Sequence, residues 1–319
     1  MAVNVARFEW RDQIAWGVVR GDKLVRVPGA FSTTGEFIAN TSVEALAALE
    51  GETIGLGEVA LLSPITGNQQ FLCQGANYRQ HMIESGMDPD QKRYNMIFTK
   101  AQSCLCAANS HLVKPASVRF LDYEIELGIV LRRDIRKSVQ VTDANLLDFL
   151  AGLVIVNDYS ARDIQLPQSQ FYKGKSFRTF GPVGPFLCLL TAADLPKLFD
   201  LRLTLTVNGQ IRQDDTTANM VYRPAETLSE LSGVQDLFAG DLIATGTPSG
   251  CALAIPSPAI QRVAALMPEA TKWRLFLKAQ AKRTQYLQPG DIVEAVIASP
   301  DGAIDLGRQR NFVVEEGSR

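Results

Sequence analysis

From Asp122 to Leu131 the chain alternates: Tyr123, Ile125, Leu127, Ile129 and Leu131 fall on one face, and Asp122, Glu124 and Glu126 on the other. A two-residue period of this kind predicts a β-strand. Glu is depleted in strands, and two Glu at i and i+2 lie roughly 7 Å apart by backbone rise. Something must neutralise that face. A divalent cation with oxygen ligands would do so, and so would solvent on an exposed sheet face. By contrast, Gly152-Leu153-Val154-Ile155-Val156 is a continuous apolar run, which predicts a strand buried on both faces.

Shorter patterns fill in the remaining elements. Val5 to Trp10, Ile14 to Arg20 and Lys23 to Val27 read as strands, the last two joined at the Gly21-Asp22 turn. Ser42 to Leu49 has helical spacing with Ser42 as N-cap. Phe71 to Gly75 is a short strand, and Asn77 to Met87 a short helix closed by Gly86. Thr142 to Leu150 reads as a helix capped by Thr142, and Ser160 with Asp163 has capping-box spacing. Leu201 to Val207 is a strand leading into an Asn208-Gly209 hairpin turn. Residues 251–285 carry helical spacing, for example Ile260, Val263, Ala264 and Met267, then Trp273, Phe276 and Leu277. These patterns predict a β-rich α+β protein with a small N-terminal β-rich domain over 1–66 and a main domain over 67–319 that contains the helical segment 251–285.

Composition narrows the function classes. Of 319 residues, 46% are hydrophobic and 21% charged, and the net charge is -2. That balance gives no reason to expect nucleic acid or an anionic membrane as partner. The N-terminus has no apolar h-region, and no apolar run approaches the length of a membrane span, so a cytoplasmic protein is expected. Five Cys in no regular framework point to reduced thiols; Cys104-Leu105-Cys106 lacks a second pair for a metal site.

The chain has two histidines, His81 and His111, so a multi-histidine zinc site is disfavoured and a histidine base must be one of the two. His81 and Glu84, three apart on a predicted helix, share a face. A carboxylate there would fix the imidazole tautomer and raise its basicity; a surface histidine with a solvated neighbour is the plainer alternative. His111 has no acidic neighbour and reads as structural. Asp158 ends the buried strand near a helix start, as a cap or as a metal ligand. Arg162 and Gln165 project together and can hold a carboxylate. Gly174-Lys175-Ser176 lacks the upstream glycine of a phosphate loop, which argues against a nucleotide site. The Thr245-to-Gly250 loop, rich in Gly, Thr and Ser, lets a ligand approach the backbone.

Six motifs stand in order: Asn77-Tyr78-x-x-His81-x-x-Glu84, Asp122-Tyr123-Glu124-x-Glu126-Leu127, Asn157-Asp158-x-Ser160-Ala161-Arg162-Asp163-x-Gln165, Gly174-Lys175-Ser176-Phe177, Asn208-Gly209-x-x-Arg212-Gln213-Asp214, and Thr245-Gly246-Thr247-Pro248-x-Gly250. Together, from about residue 70 to the C-terminus, they resemble the fumarylacetoacetate hydrolase family. The resemblance implies a mixed β-roll or β-sandwich catalytic domain behind a smaller N-terminal domain, and a homodimer. It implies that Glu124, Glu126 and Asp158 hold Mg²⁺ or Mn²⁺ (Ca²⁺ in some relatives), with Asp122 left to orientation or structure. It further implies that His81 and Glu84 activate water, that Lys175 lies near the reacting carbonyl, and that Tyr78, Arg162, Gln165 and Thr247 contact substrate. The implied reaction is hydrolysis of a C–C bond in a small-molecule 1,3-diketo acid such as an acylpyruvate. A 2-oxo acid decarboxylase, tautomerase or hydratase on the same metal site is the alternative, and a non-catalytic homologue is the third. The chain departs from the pattern in two places: residues 251–285 separate the Thr-Gly-Thr-Pro loop from the Pro289-Gly290-Asp291 turn, and Phe98-Thr99-Lys100-Ala101 stands where many relatives have Phe-x-Lys-Pro.

Overall fold

The computed structural model describes residues 1–317, except 257–259, 261–263 and 265. Its frame is a thirteen-stranded mixed sheet. Ile125–Leu131 and Leu150–Asn157 lie side by side at its centre, antiparallel, and every residue of both is buried. Leu242–Ala244 flanks the first of these, followed by Phe71–Gly75 and Met96–Thr99. A five-stranded sheet, with Arg202–Val207, Ile292–Ala298 and Asp305–Glu315 at its middle, accompanies it. A two-stranded ribbon pairs Leu121–Asp122 with Ser160–Ala161. The architecture is β-rich α+β with few helices, as the pattern predicts.

The acidic stretch is not a single alternating strand. It breaks at Tyr123-Glu124 between two strands, and neither of its faces is open to solvent. Of the two ways to neutralise it, an exposed sheet face is therefore removed. Register then places the acids. Ile125 stands opposite Asn157 and Glu126 opposite Val156, and the Asp158 N–H donates to the Glu124 carbonyl at 2.8 Å. Strand pairing thus carries Asp158 to the acidic strand from 32 residues away in the chain.

The N-terminal strands extend the same sheet. Val3–Trp10 pairs with Leu187–Leu189, which in turn pairs with Leu150–Asn157. Val3, Val5, Trp16, Val18 and Phe37 belong to one apolar core together with Leu153 and Ile155. The Trp16 and Phe37 rings stack with centroids 4.1 Å apart. Polar side chains account for the local departures from the predicted elements. Asn145 accepts from the Thr142 N–H, and only a 3₁₀ turn, Leu146–Asp148, forms before Leu150 enters its strand. Asp163 accepts from Arg119 and Phe120 rather than capping with Ser160, and the helix there is Arg162–Gln168. The Asn208-Gly209 turn forms as predicted, with φ of 52° and 77°, the positive pair that a tight hairpin requires. In the 251–285 segment a helix spans Glu269–Gln280; the earlier helical stretch falls partly outside the described residues, Val263 among them. Among the described residues no helix is long and apolar enough to cross a membrane.

Gly152 lies where the N-terminal strands join the central pair. A Cβ there would sit 2.4 Å from the Cys188 carbonyl oxygen, which belongs to backbone and cannot turn away. Gly152→Ala is expected to lower stability by about 1–3 kcal/mol in urea unfolding. Gly57→Ala, whose Cβ meets nothing within 4 Å, should change it little.

Candidate active site

Four carboxylates, Asp122, Glu124, Glu126 and Asp158, are buried in one cluster with three cations, Lys100, Arg162 and Lys175. The contacts are specific. Arg162 donates through Nε to Asp122 at 2.8 Å, through Nη1 to Gln165 at 2.9 Å and through Nη2 to Glu124. Lys175 Nζ lies between Glu124, at 2.6 Å, and Asp158. Lys100 Nζ holds the other Asp158 oxygen and the Phe180 carbonyl, the latter at 2.8 Å. Among the described residues no cationic side chain bonds to Glu126, which accepts one backbone bond, from the Gly246 N–H at 2.9 Å. Gly246 has φ +87°, and a Cβ there would meet Asn77 at 2.8 Å, so glycine lets this N–H face the carboxylate.

These neighbours pull the acids apart in charge preference. Burial alone would raise Glu124, but Arg162 and Lys175 hold it at about 2. Glu126 is pushed well above the usual carboxylate range, first by desolvation and then by Asp158 and Glu124. Of the three acids, it is the one with no ion pair to a cationic side chain among the described residues. Oxygen atoms of Glu124, Glu126 and Asp158 lie within 4.8 Å of one another. Three buried oxygen donors at that spacing suit a hard divalent cation. The Lys175 ammonium spans two of the three, so a positive charge already occupies part of that place.

The other predicted residues divide. His81, on the helix Arg79–Glu84, lines the same cavity as Glu124, Glu126, Arg162, Gln165, Lys175 and Thr247. It is half-buried, and desolvation shifts its pKa below the ordinary 6.5, which favours the neutral, proton-accepting ring. Glu84 does not reach it. That carboxylate is exposed and accepts from Gln80 at 3.2 Å, so the predicted dyad is not assembled. Tyr78 is fully buried, outside the cavity lining, with no partner for its hydroxyl among the described residues. Thr247 lines the cavity, but its hydroxyl already donates to Ile125 O and accepts from Gln213. Arg162 donates from all three nitrogens to protein, which makes it a positioning residue. Gln165 keeps its Nε2 without a protein acceptor among the described residues. Asp122 lies apart from the three-oxygen group. It accepts from Arg162 and from the Ala252 and Leu253 N–H groups. His111 is exposed and packs edge-on to Phe312.

Lys100 is the residue that sequence reasoning passed over as a site member. The sequence did hold a signal, since Lys100 is the lysine of the Phe98-Thr99-Lys100-Ala101 stretch that follows the strand Met96–Thr99. The Gly/Thr loop was noted as a ligand approach; its glycine instead holds Glu126.

A β-rich mixed-sheet enzyme with a buried acidic triad and a histidine-lined cavity is the class defined by this fold and site. The model of the fumarylacetoacetate hydrolase C-terminal region matches residues 70–314, and the chain belongs to that family. The oxaloacetate tautomerase YisK of Bacillus subtilis is 35% identical over 209 residues, 65% of this chain and 68% of that protein. A solved 2-hydroxyhepta-2,4-diene-1,7-dioate isomerase of Mycobacterium marinum aligns with a TM-score of 0.71 at 25% identity, over 99% of this chain and 100% of that one. The fumarylacetoacetate hydrolase of Exiguobacterium antarcticum aligns with a TM-score of 0.71 at 27% identity, over 98% and 100%.

Removing one cation from the cluster leaves a buried carboxylate unpaired. Lys100→Met is therefore expected to cost about 3–5 kcal/mol in chemical denaturation. Lys197→Met, which breaks a solvent-facing pair with Asp301, should shift the curve little.

Proposed function

We propose that this enzyme binds a 2-oxo acid at the Glu124, Glu126 and Asp158 group together with a divalent cation, Mg²⁺ or Mn²⁺ with Ca²⁺ as the larger alternative, and hydrolyses the C–C bond of a 1,3-diketo acid of the acylpyruvate kind. The observation that carries the reading is Glu126: a buried carboxylate with no cationic partner, within reach of two more. When bound, the ion would supply Lewis-acid polarisation for the adjacent oxygens of the 2-oxo acid and positive charge for the enolate. The rest falls to the chain's own residues. His81, held neutral by burial, takes a proton from water, and the hydroxide attacks the distal carbonyl. The bond between the attacked carbon and C3 breaks, and its electron pair becomes the enolate. The proton on His81 returns to C3, giving pyruvate and a carboxylic acid. Lys175, which also donates to Glu124 and Asp158, donates to the developing oxyanion, and the Gln165 Nε2 to the substrate carboxylate. Arg162 keeps Glu124 and Gln165 in place.

One observation favours a second reading. Glu84 bonds to Gln80, so His81 lacks the carboxylate that would help it activate water. A lone imidazole suffices to move a proton between C3 and an enol oxygen, which is tautomerase chemistry, and the likeness to an oxaloacetate tautomerase agrees with it. Following acylpyruvate enol absorbance with and without EDTA separates the two. Metal-dependent decay with pyruvate and an acid as products supports hydrolysis; absorbance change without cleavage products supports the tautomerase.

His81→Ala should abolish turnover while His111→Ala retains most of it; equal loss in two folded variants would remove His81 as the base. Glu124→Gln with Glu126→Gln should abolish Mg²⁺ binding by calorimetry as well as turnover. Because desolvation lowers the His81 pKa, the base is protonated and lost only on the acid side. The acid limb of kcat/KM is expected to have its midpoint below the ordinary imidazole value of 6.5, and a midpoint near neutrality would contradict the assignment.

A further inference from the structure

We infer that the substrate carries a bulky apolar group beyond its 2-oxo acid head, and that this group is seated in a second cavity walled in part by the helix Glu269–Gln280. The inference rests on the proposal that the charged cluster takes a 2-oxo acid. The catalytic cavity measures about 180 Å³, less than the roughly 300–1,000 Å³ of ordinary ligand pockets. Its lining combines the charged cluster with apolar residues, Leu166 and Ile255 among them. The same two residues line a neighbouring cavity of about 470 Å³. Joined, the two fall within the ordinary range.

The second cavity is lined mostly by apolar side chains. Met267, Trp273, Phe276 and Ala279 form part of its wall, with the Trp273 and Phe276 rings edge to face at 5.8 Å. Among the described residues Lys272 is the charged one on its lining, and its ammonium lies 5.1 Å from the Trp273 ring. Its wall is also tied to the catalytic cluster. Gln280, the last residue of the helix, donates to Ala254 O at 2.7 Å, and Arg283 to Ala252 O at 2.7 Å. The Ala252 and Leu253 N–H groups hold Asp122, and Asp122 holds Arg162. An apolar chamber built this close to the charged site, and sharing two walls with it, fits the tail of the molecule whose head the charges hold. A second copy of this chain packing on the segment is the competing occupant.

The test is a series of 2,4-dioxo acids whose distal acyl group lengthens from methyl to hexyl, with a phenyl member, assayed with Mg²⁺ on the full chain. kcat/KM should rise roughly four-fold per added methylene until the chamber is filled. Calorimetry with saturated 2-oxo monoacids, from pyruvate to 2-oxodecanoate, reads binding without any reaction and should show the same rise. Phe276→Ala should flatten both series. Ala279→Trp, which fills the chamber instead of emptying it, should lower the ratio of long-chain to short-chain kcat/KM, and this guards against a truncation that simply unfolds the helix. A flat series, or one in which long chains are penalised, overturns the inference. So does a change in sedimentation mass in Ala279→Trp with the chain-length dependence intact, which would mark the segment as a contact between copies. Affinity that rises with length while no dioxo acid is cleaved would support the chamber and sink the hydrolase reading instead.

Discussion

Four carboxylates and three cations held together out of water are the constraint on which the rest of this structure depends. Moving a lone charge into the interior costs several kcal/mol even after relaxation, so the cluster survives only because its members are matched atom to atom. Arg162 serves Asp122, Glu124 and Gln165 at once, and two lysines divide Asp158 between them. The match is one positive charge short, and the deficit falls on Glu126. Burial and the neighbouring acids drive that carboxyl toward its protonated form, and a divalent cation among the three oxygens would supply the missing charge in place of the proton.

The same cluster organises the surroundings. The strands on which it sits have no open face, so their acids must be neutralised internally and cannot be relaxed by solvent. Asp122 faces away from the three-oxygen group and links outward, accepting from the backbone at Ala252 and Leu253. Through that contact the segment carrying Glu269–Gln280 is registered against Arg162. The part of the molecule that walls the apolar chamber and the part that holds the charges are thus joined by hydrogen bonds to one carboxylate. The helix carrying His81 is tied down elsewhere: Arg79 pairs with Asp90, Asn77 at its start bonds to Val221 and Tyr222, and Glu84 bonds within its own turn. The acids and cations are fixed by one another, whereas Glu84 does not fix His81.

Much of this was legible in the residues. The awkwardness of Glu124 and Glu126 in a strand pattern called for something to neutralise that face, with a cation and solvent on an exposed sheet both open. The apolar run before Asp158 foretold a strand buried on both faces, and positive-φ chemistry at Asn208-Gly209 foretold its turn. The family motifs gathered the cluster's acids, Lys175 and His81 into one expected site. Local rules failed where a side chain found a distant partner: Asp163 left its capping box for Arg119 and Phe120, and Glu84 turned to Gln80.

What the sequence by itself determined was therefore the kind of chemistry: which residues carry charge, and that they sit on strands with no use for it. Alternation, run length and turn residues are local quantities, and they are read within a few positions. Only the tertiary structure decided how the charges pair. Strand register brought Asp158 beside Glu124, chain packing turned Lys100 inward to it, and pairing through Leu187–Leu189 joined the N-terminal strands to the central sheet. Those outcomes depend on distances between residues far apart in the chain, which no periodicity encodes. For the same reason the apolar chamber beside the site was invisible until the 251–285 segment had a place to pack.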